Sequence, residues 1–357
     1  MPQGDEIPEL IAPSRPRRPV SLKTLALHLN LSTTTVSLVL NNSPRSRSIP
    51  ASTKERILSA AKELDYTPNY FARYLNTKRA NMAAVIVPEV SEGYGSSVMG
   101  GIERCLVRSH FAYLAASHRW SPELIENTPR MLMDRGAEGF ILVNMPLTHS
   151  LPLPVVNVGG HERLPSVTNI RLDNHRAAWL AIEHLHQLGH RRIAFFKGHP
   201  CSVDTEERWE GILSACQHFG LPVLPELTVQ MTRHGNPPAA PVPGDGYVDT
   251  QALLARRVEF TALFTFNDIA AIGALASFRD AGLRVPEDVS LVGFDDIQAA
   301  GYLNPTLTTV RQPLQKMGEM AARELLRRLD TRDTQPAEII VQPELVVRKS
   351  TAAARKV

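Results

Sequence analysis

The sequence predicts an all-α helix-turn-helix head followed by an α/β body built on parallel sheets. Three observations predict it: helix-spaced apolar residues in two short segments near the start, a concentration of positive charge over the same region, and alternating strand-like and helix-like stretches beyond residue 80. In the first segment Leu22, Leu25, Ala26 and Leu29 recur at helical spacing. Asn30-Leu31-Ser32 interrupts it, and Ser32 is placed to cap a second short helix from Thr33 to about Leu40. Two short helices joined by a tight turn present the second to the major groove of DNA. A third helix carries the stripe Ile57, Ala60, Ala61 and Leu64, with Ser52 as its expected N-cap.

Charge points the same way. Residues 15 to 80 hold twelve Lys and Arg against Glu55, Glu63 and Asp65, while the whole chain is only +3. A basic head on a mildly acidic body is the footprint of a phosphate-contacting module.

Beyond residue 80, short apolar runs appear at Ala83–Val87, Phe140–Val143, Val155–Val158, Ile193–Phe196, Ala262–Phe266 and Val289–Val292. Amphipathic stretches lie among them, at Trp179–Leu188, Arg208–Phe219, Ile269–Ala281 and Leu314–Leu329. This alternation predicts parallel sheets with helices on both faces. In such sheets ligands settle beyond the carboxyl ends of the strands. Asn144 after one strand, Asn267 after another and Asp295 after Val292-Gly-Phe are the candidate ligand residues there, with Tyr94 in the loop after the first strand as a lesser one. Amides and a carboxylate suit vicinal hydroxyls, which points to a sugar or sugar derivative; a purine or a phosphorylated compound is the alternative. Asparagine at a strand end also caps turns, which is the plainer reading of Asn144 and Asn267.

The chain resembles the lac-repressor/galactose-repressor family of bacterial transcription regulators. The matching residues are Val36-Ser37, Asn41, Thr53–Ile57, Leu64–Asn69, Ala72–Leu75, Val158, Leu172–Asn174, His184–Ile193, Asn267-Asp268, Val292–Asp296, Leu307–Thr309 and Leu345–Arg348. Their order and spacing over residues 20 to 351 are specific together. The resemblance implies a periplasmic-binding-protein-like body of two doubly wound parallel-sheet subdomains with effector between them. It also implies that Arg208, three residues before Gly211 like the family arginine that grips the ligand, adds a guanidinium suited to the same hydroxyls, with Gln312 at a crossing as a lesser candidate. It implies chain crossings near Leu172, Arg311 and Val341. The expected organisation is a disordered tail (1–19), the helix-turn-helix domain (20–67) and a hinge helix or linker (68–80). One subdomain then comprises 81–172 and 312–340, the other 173–311 and 341–357. The resemblance further implies that the hinge around Asn69 and Ala72 orders on operator DNA, with Leu75 wedged into the minor groove, a step that costs a few kcal/mol and is offset by wider contact.

Departures from the family pattern bear on what is read and bound. Leu38 stands where many relatives carry an arginine on the recognition helix; a leucine makes only apolar contact, for instance with a thymine methyl. Thr33 and Thr34 are the first exposed positions of that helix, with Thr35, Ser37 and Asn41 further candidates for DNA contact. Arg45 and Arg47 in the long loop 42–50 suit phosphates. Gly159 falls where relatives often place a charged ligand residue, and Leu314 where an aromatic side chain stands in a relative. Residues 235–246, with four prolines, replace a region that can supply a stacking aromatic, and 145–154 is too short for the usual helix.

Other chemistries find little footing. His184, His186 and His190 do not share one helical face, so no metal is expected, and no cofactor motif is present. Neighbouring Asp295 and Asp296 on a strand end point apart, which argues against an acid/base pair. Three cysteines without paired spacing fit a reduced cytoplasm, and residues 1–19 read as neither signal peptide nor anchor. No apolar run reaches membrane-spanning length. The expectation is therefore a cytoplasmic, non-enzymatic repressor, a homodimer or tetramer on palindromic double-stranded operator DNA, controlled by a small carbohydrate. The alternative is a solute-binding protein or sugar-processing enzyme with a vestigial head.

Overall fold

The computed structural model describes residues 20–41, 43–66, 80–91, 93–161, 164–231 and 245–355. The tail, the hinge positions Asn69, Ala72 and Leu75, and most of the proline-rich stretch lie outside the described residues. The chain divides into two units, residues 1–80 and 81–357, considered in turn.

In the first unit, α1 (Leu22–Leu29) starts under Ser21, whose Oγ accepts from Thr24 N at 3.1 Å, and ends at Asn30 in the left-handed conformation. Ser32 repeats this for α2 (Thr33–Leu40), its Oγ accepting from Thr35 N at 3.0 Å. The third helix, α3 (Ala51–Glu63), begins after Pro50 and has no side-chain cap; the cap expected at Ser52 lies inside its first turn. Pro50 sets the start instead, because its ring fixes φ for helix entry and its missing N–H needs no partner. Leu25, Ala26, Leu29, Val36, Val39, Ile57 and Ala60 form the core. The loop before α3 holds a 3-10 turn, Pro44–Ser48.

The second unit contains two six-stranded sheets. The first is built from β1 (Met82–Val87), β2 (Ala112–Ser117), β3 (Gly139–Val143), β4 (Val155–Val158), β5 (Val167–Leu172) and β11 (Ala337–Val341), in the order β11-β5-β4-β3-β1-β2, all parallel. The second is built from β6 (Ile193–Lys197), β7 (Thr228–Gln230), β8 (Ala262–Phe264), β9 (Ser290–Asp295), β10 (Thr308–Arg311) and β12 (Glu344–Val346), in the order β12-β10-β9-β8-β6-β7. Only β12 runs antiparallel to its neighbour. The backbone thus passes between the sheets after β5, after β10 and after β11. The central strands are the continuous apolar runs of the sequence, as expected for strands covered on both faces.

Helices α4 (Gly93–Arg108), α5 (Pro122–Asp134) and α10 (Leu314–Thr331) belong to the first subdomain; α6 (Asn174–Gln187), α7 (Thr205–His218), α8 (Asp245–Ala255) and α9 (Asp268–Asp280) belong to the second. Leu314 is buried in the first subdomain's core beside Val98 and Met317. No helix occurs at 145–154. Helices α4 and α10 touch through glycines: a Cβ at Gly101 would run into Gln315 O, and one at Gly318 into Val98 O. The Gly318→Ala variant should therefore be overpacked, lowering stability by about 1–3 kcal/mol. A thermal unfolding midpoint equal to wild type would show that the two helices can separate freely.

Candidate DNA-contacting face and effector cleft

On the recognition helix α2, Val36 and Val39 turn into the core while Thr33 and Thr34 are exposed. Thr35 Oγ1 pairs with Ser32 Oγ at 2.8 Å, and Asn41 Nδ2 donates to Ser37 O and Ser37 Oγ at 2.9 and 3.1 Å. Ser37 and Leu38 are half-buried, so the first turn presents the most open side chains. Arg45 and Arg47 are exposed on the 3-10 turn.

In the second unit, the carboxyl ends of the two sheets supply a connected polar group. Arg208, on α7, is only 3% exposed. Its guanidinium carbon lies 3.5 Å from the Phe294 ring centroid and 4.4 Å from that of Phe266. Nε donates to Asn174 Oδ1 at 3.1 Å and Nη1 to the Phe266 carbonyl at 2.7 Å. A charge so desolvated stays ionised only with anions and ring faces around it. Burial pulls its pKa down, and Asp204, Asp295 and Tyr94 oppose that pull.

Asp295 ends β9 with φ 112°, followed by Asp296 at 55°, backbone values side-chain-bearing residues rarely adopt. Surrounding bonds hold this turn. Gln312 Nε2 donates to Asp295 Oδ1 at 2.7 Å, and Ile297 N donates to Asp268 Oδ2 at 2.9 Å. Arg311 and Arg348 grip Asp296 at 2.7 and 2.6 Å. The two carboxyls of residues 295 and 296 accordingly face different partners. Burial and the neighbouring Asp268 push the Asp295 carboxyl well above the usual carboxylate range.

Asn144, at φ 46°, reaches the other sheet: its Nδ2 donates to Ser202 Oγ at 3.3 Å and its Oδ1 accepts from Val203 N at 3.3 Å. Tyr94 Oη is buried with no hydrogen-bond partner. The structure thus brings Tyr94, Arg208 and Asp295 into one electrostatic neighbourhood and places Gln312 on Asp295. Asn267 is used otherwise: its Oδ1 caps α9, accepting from Ala270 N at 2.8 Å, because a strand running directly into a helix leaves orphan N–H groups to satisfy.

Several residues of this network carried no sequence signal beyond their type. Asp204 is 4% exposed and accepts through Oδ1 from Asn174 Nδ2 at 3.1 Å, with His161 Nε2 also at 3.1 Å. Arg171 Nη1 donates to Glu207 Oε1 at 2.8 Å and lies 3.1 Å from His161 Nδ1. His161, Asp204 and Glu207 place one ligand atom each within 4.8 Å of one another. The Arg171 guanidinium already serves as the cation of that group. Together with Asn144, these contacts tie β3 to β5 and their following loops to α7 of the other subdomain.

Burial pulls the His161 pKa down, but its bond to Asp204 and the charges of Asp204 and Glu207 outweigh this, and it titrates above the ordinary histidine value. A raised folded-state value means its contribution is full below about pH 6.5 and is lost as pH rises through the folded-state value. The stability difference between wild type and His161→Gln should therefore shrink between pH 6 and 8.5, followed as thermal midpoints. A difference constant over that range would contradict the assignment.

Comparison with known proteins agrees with both units. Residues 21–69 match the model of bacterial regulatory proteins of the lacI family, and residues 182–351 that of a periplasmic binding protein-like domain. The HTH-type transcriptional repressor PurR of Haemophilus influenzae is 30% identical over 345 residues, covering 92% of this chain and 98% of the relative. The lac repressor dimer bound to operator and the anti-inducer ONPF shares the fold at a TM-score of 0.81, 24% identity and coverage of 94% and 100%. The complex of the transcriptional regulator CelR with cellobiose gives 0.66 at 28% identity, covering 92% and 99%. A lacI-family regulator from Enterococcus faecium with bound ribose gives 0.66 at 26% identity, covering 77% and 100%. With a recognition helix, a two-sheet body and a relative aligned over nearly its whole length, the chain belongs to the lacI family of bacterial regulatory proteins.

Proposed function

We propose that this regulator is a cytoplasmic homodimeric repressor that reads a palindromic operator, with affinity set by a neutral sugar bound between its two subdomains. The observation that carries the sugar reading is the use of the aromatic faces. Arg208 covers one face of Phe266 and of Phe294, at 4.4 and 3.5 Å, and both rings are buried, which leaves polar side chains rather than ring faces to the ligand. A nucleobase would need those faces for stacking; vicinal hydroxyls need the paired donors and acceptors of Arg208, Asp295, Gln312 and Asn144. The cellobiose and ribose in the titles of two similar structures support this class. Asn267 is a lesser participant, since its carbonyl oxygen is engaged in the helix cap.

On DNA, Thr33 and Thr34 read base edges, Leu38 makes apolar contact, and Thr35, Ser37 and Asn41 support the recognition helix against the backbone. Arg45 and Arg47 hold phosphates. A dimer follows the lac repressor precedent. The relatives are repressors, and the divergent partners of Asp295 and Asp296 offer no acid/base pair, which argues against an enzyme.

The testing experiment is selection of genomic fragments by the purified protein at moderate salt. A shared palindrome is expected; salt-sensitive binding without common sequence would reduce the head to phosphate contact alone. On the selected operator, Leu75→Ala should weaken binding roughly 10- to 100-fold, because the wider contact that the wedged bend permits is lost with it, with ligand affinity unchanged. Unaltered operator affinity would remove the wedge. The Asp295→Ala variant should keep dimeric operator binding but lose its response to ligand, and a normal response would leave Asp295 a structural role.

A further inference from the structure

The loop between the recognition helix and α3 is a bonded turn, not an open connection. Ser43 N donates to Leu38 O at 3.0 Å, which ties the loop to the end of α2. Ser43 Oγ accepts from Arg45 N at 3.4 Å, Ser46 N donates to Ser43 O at 2.8 Å, and Ile49 N donates to Ser46 O at 3.0 Å. Ser48 Oγ closes the turn by donating to Arg45 O at 3.1 Å. Ser46, 6% exposed, is turned inward, and the turn packs against α2. Arg45 and Arg47, on either side of it, are exposed. Among the described residues neither guanidinium has a hydrogen-bond or ion-pair partner. Three residues per turn set neighbours about 120° apart, so with Ser46 inward the two arginines splay to either side of the outward direction.

Helix α2 is itself short. Its 8 residues make about 12 Å of helix, no more than the width of the major groove, so the chain leaving its end meets a groove wall at once. That wall is a phosphate ridge, with the adjoining minor groove beyond it. We infer that Arg45 and Arg47 hold phosphates of opposite strands across that minor groove, so that operator choice includes its width as well as the bases under α2. The inference rests on the operator reading above. In a narrow minor groove the two phosphate ridges approach and the negative potential deepens, which favours a pair of cations held at one spacing. A-tracts make grooves of that kind. A slack loop would follow either width, whereas a bonded turn converts width into affinity. Leu38 cannot make the bidentate guanine contact of an arginine, so width adds discrimination where direct reading of bases is reduced.

The test fixes the half-sites of the selected operator and randomises the base pairs on both sides of each. Fragments bound by the full-length protein and by an Arg45→Ala, Arg47→Ala double variant are then sequenced. Wild type should enrich A-tracts on one side of each half-site, binding them roughly threefold or more tightly than mixed flanks. The variant should keep the half-sites and lose that preference. Its slope of log affinity against log salt should be shallower by about 3 to 4, for two phosphates lost by each protomer of a dimer. A shallower slope with no flank preference in wild type leaves the arginines plain phosphate contacts and overturns the inference. A flank preference that survives in the variant overturns it too. Failure of wild type to select any palindrome overturns the operator reading, and the inference with it.

Discussion

A guanidinium withdrawn almost completely from water is the constraint around which the body is arranged. Arg208 has to be compensated from all sides, and the compensation comes from every element that ends nearby. Phe294 and Phe266 give ring faces, Asn174 and the Phe266 carbonyl accept its hydrogen bonds, and Asp204 supplies negative charge. Those partners in turn need support. Asp295 occupies a strained backbone position held by Gln312 and by the bonds Asp268 makes one layer behind. Removing any single partner leaves a buried charge or carboxyl uncompensated, which costs more than the pair contributes.

The same group joins the two subdomains. His161 and Asn144 come from loops of the first sheet, whereas Ser202 and Val203 come from the segment leading into α7 and Asp204 from its N-cap. A ligand placed among them has differential contacts with open and closed arrangements, which is what any shift of conformational population requires. Because Arg171 sits at the end of β5, where the chain crosses between sheets, its bonds to Glu207 and Glu338 stiffen the crossing itself.

Much of this was legible in the sequence, and what was not has a physical reason. Central strands announce themselves as unbroken apolar runs because helices cover both faces. The edge strands β2, β7, β11 and β12, together with β5 and β10, were missed, since short or mixed-polarity segments such as Val167–Leu172 pair through backbone bonds that carry no side-chain pattern. Asp295 drew attention as a residue at a strand end, and Arg208 and Gln312 through the family resemblance. His161, Asp204 and Glu207 were not singled out, since their contacts, such as that of His161 with Asp204 43 residues on, are made only by the fold. Asn267 shows the converse, since a residue well placed for ligand also serves as a helix cap.

The central claim is that the cleft and the operator-reading head bias one shared equilibrium. Coupling of that kind is reciprocal: a ligand that alters operator affinity by a given factor must have its own affinity altered by the same factor when operator is bound. The most direct measurement is calorimetric affinity of the bound sugar for the free protein and for the protein saturated with its selected operator, beside operator affinity with and without that sugar. The account predicts two equal ratios, in the range of roughly 5- to 150-fold. A sugar affinity untouched by operator would contradict it.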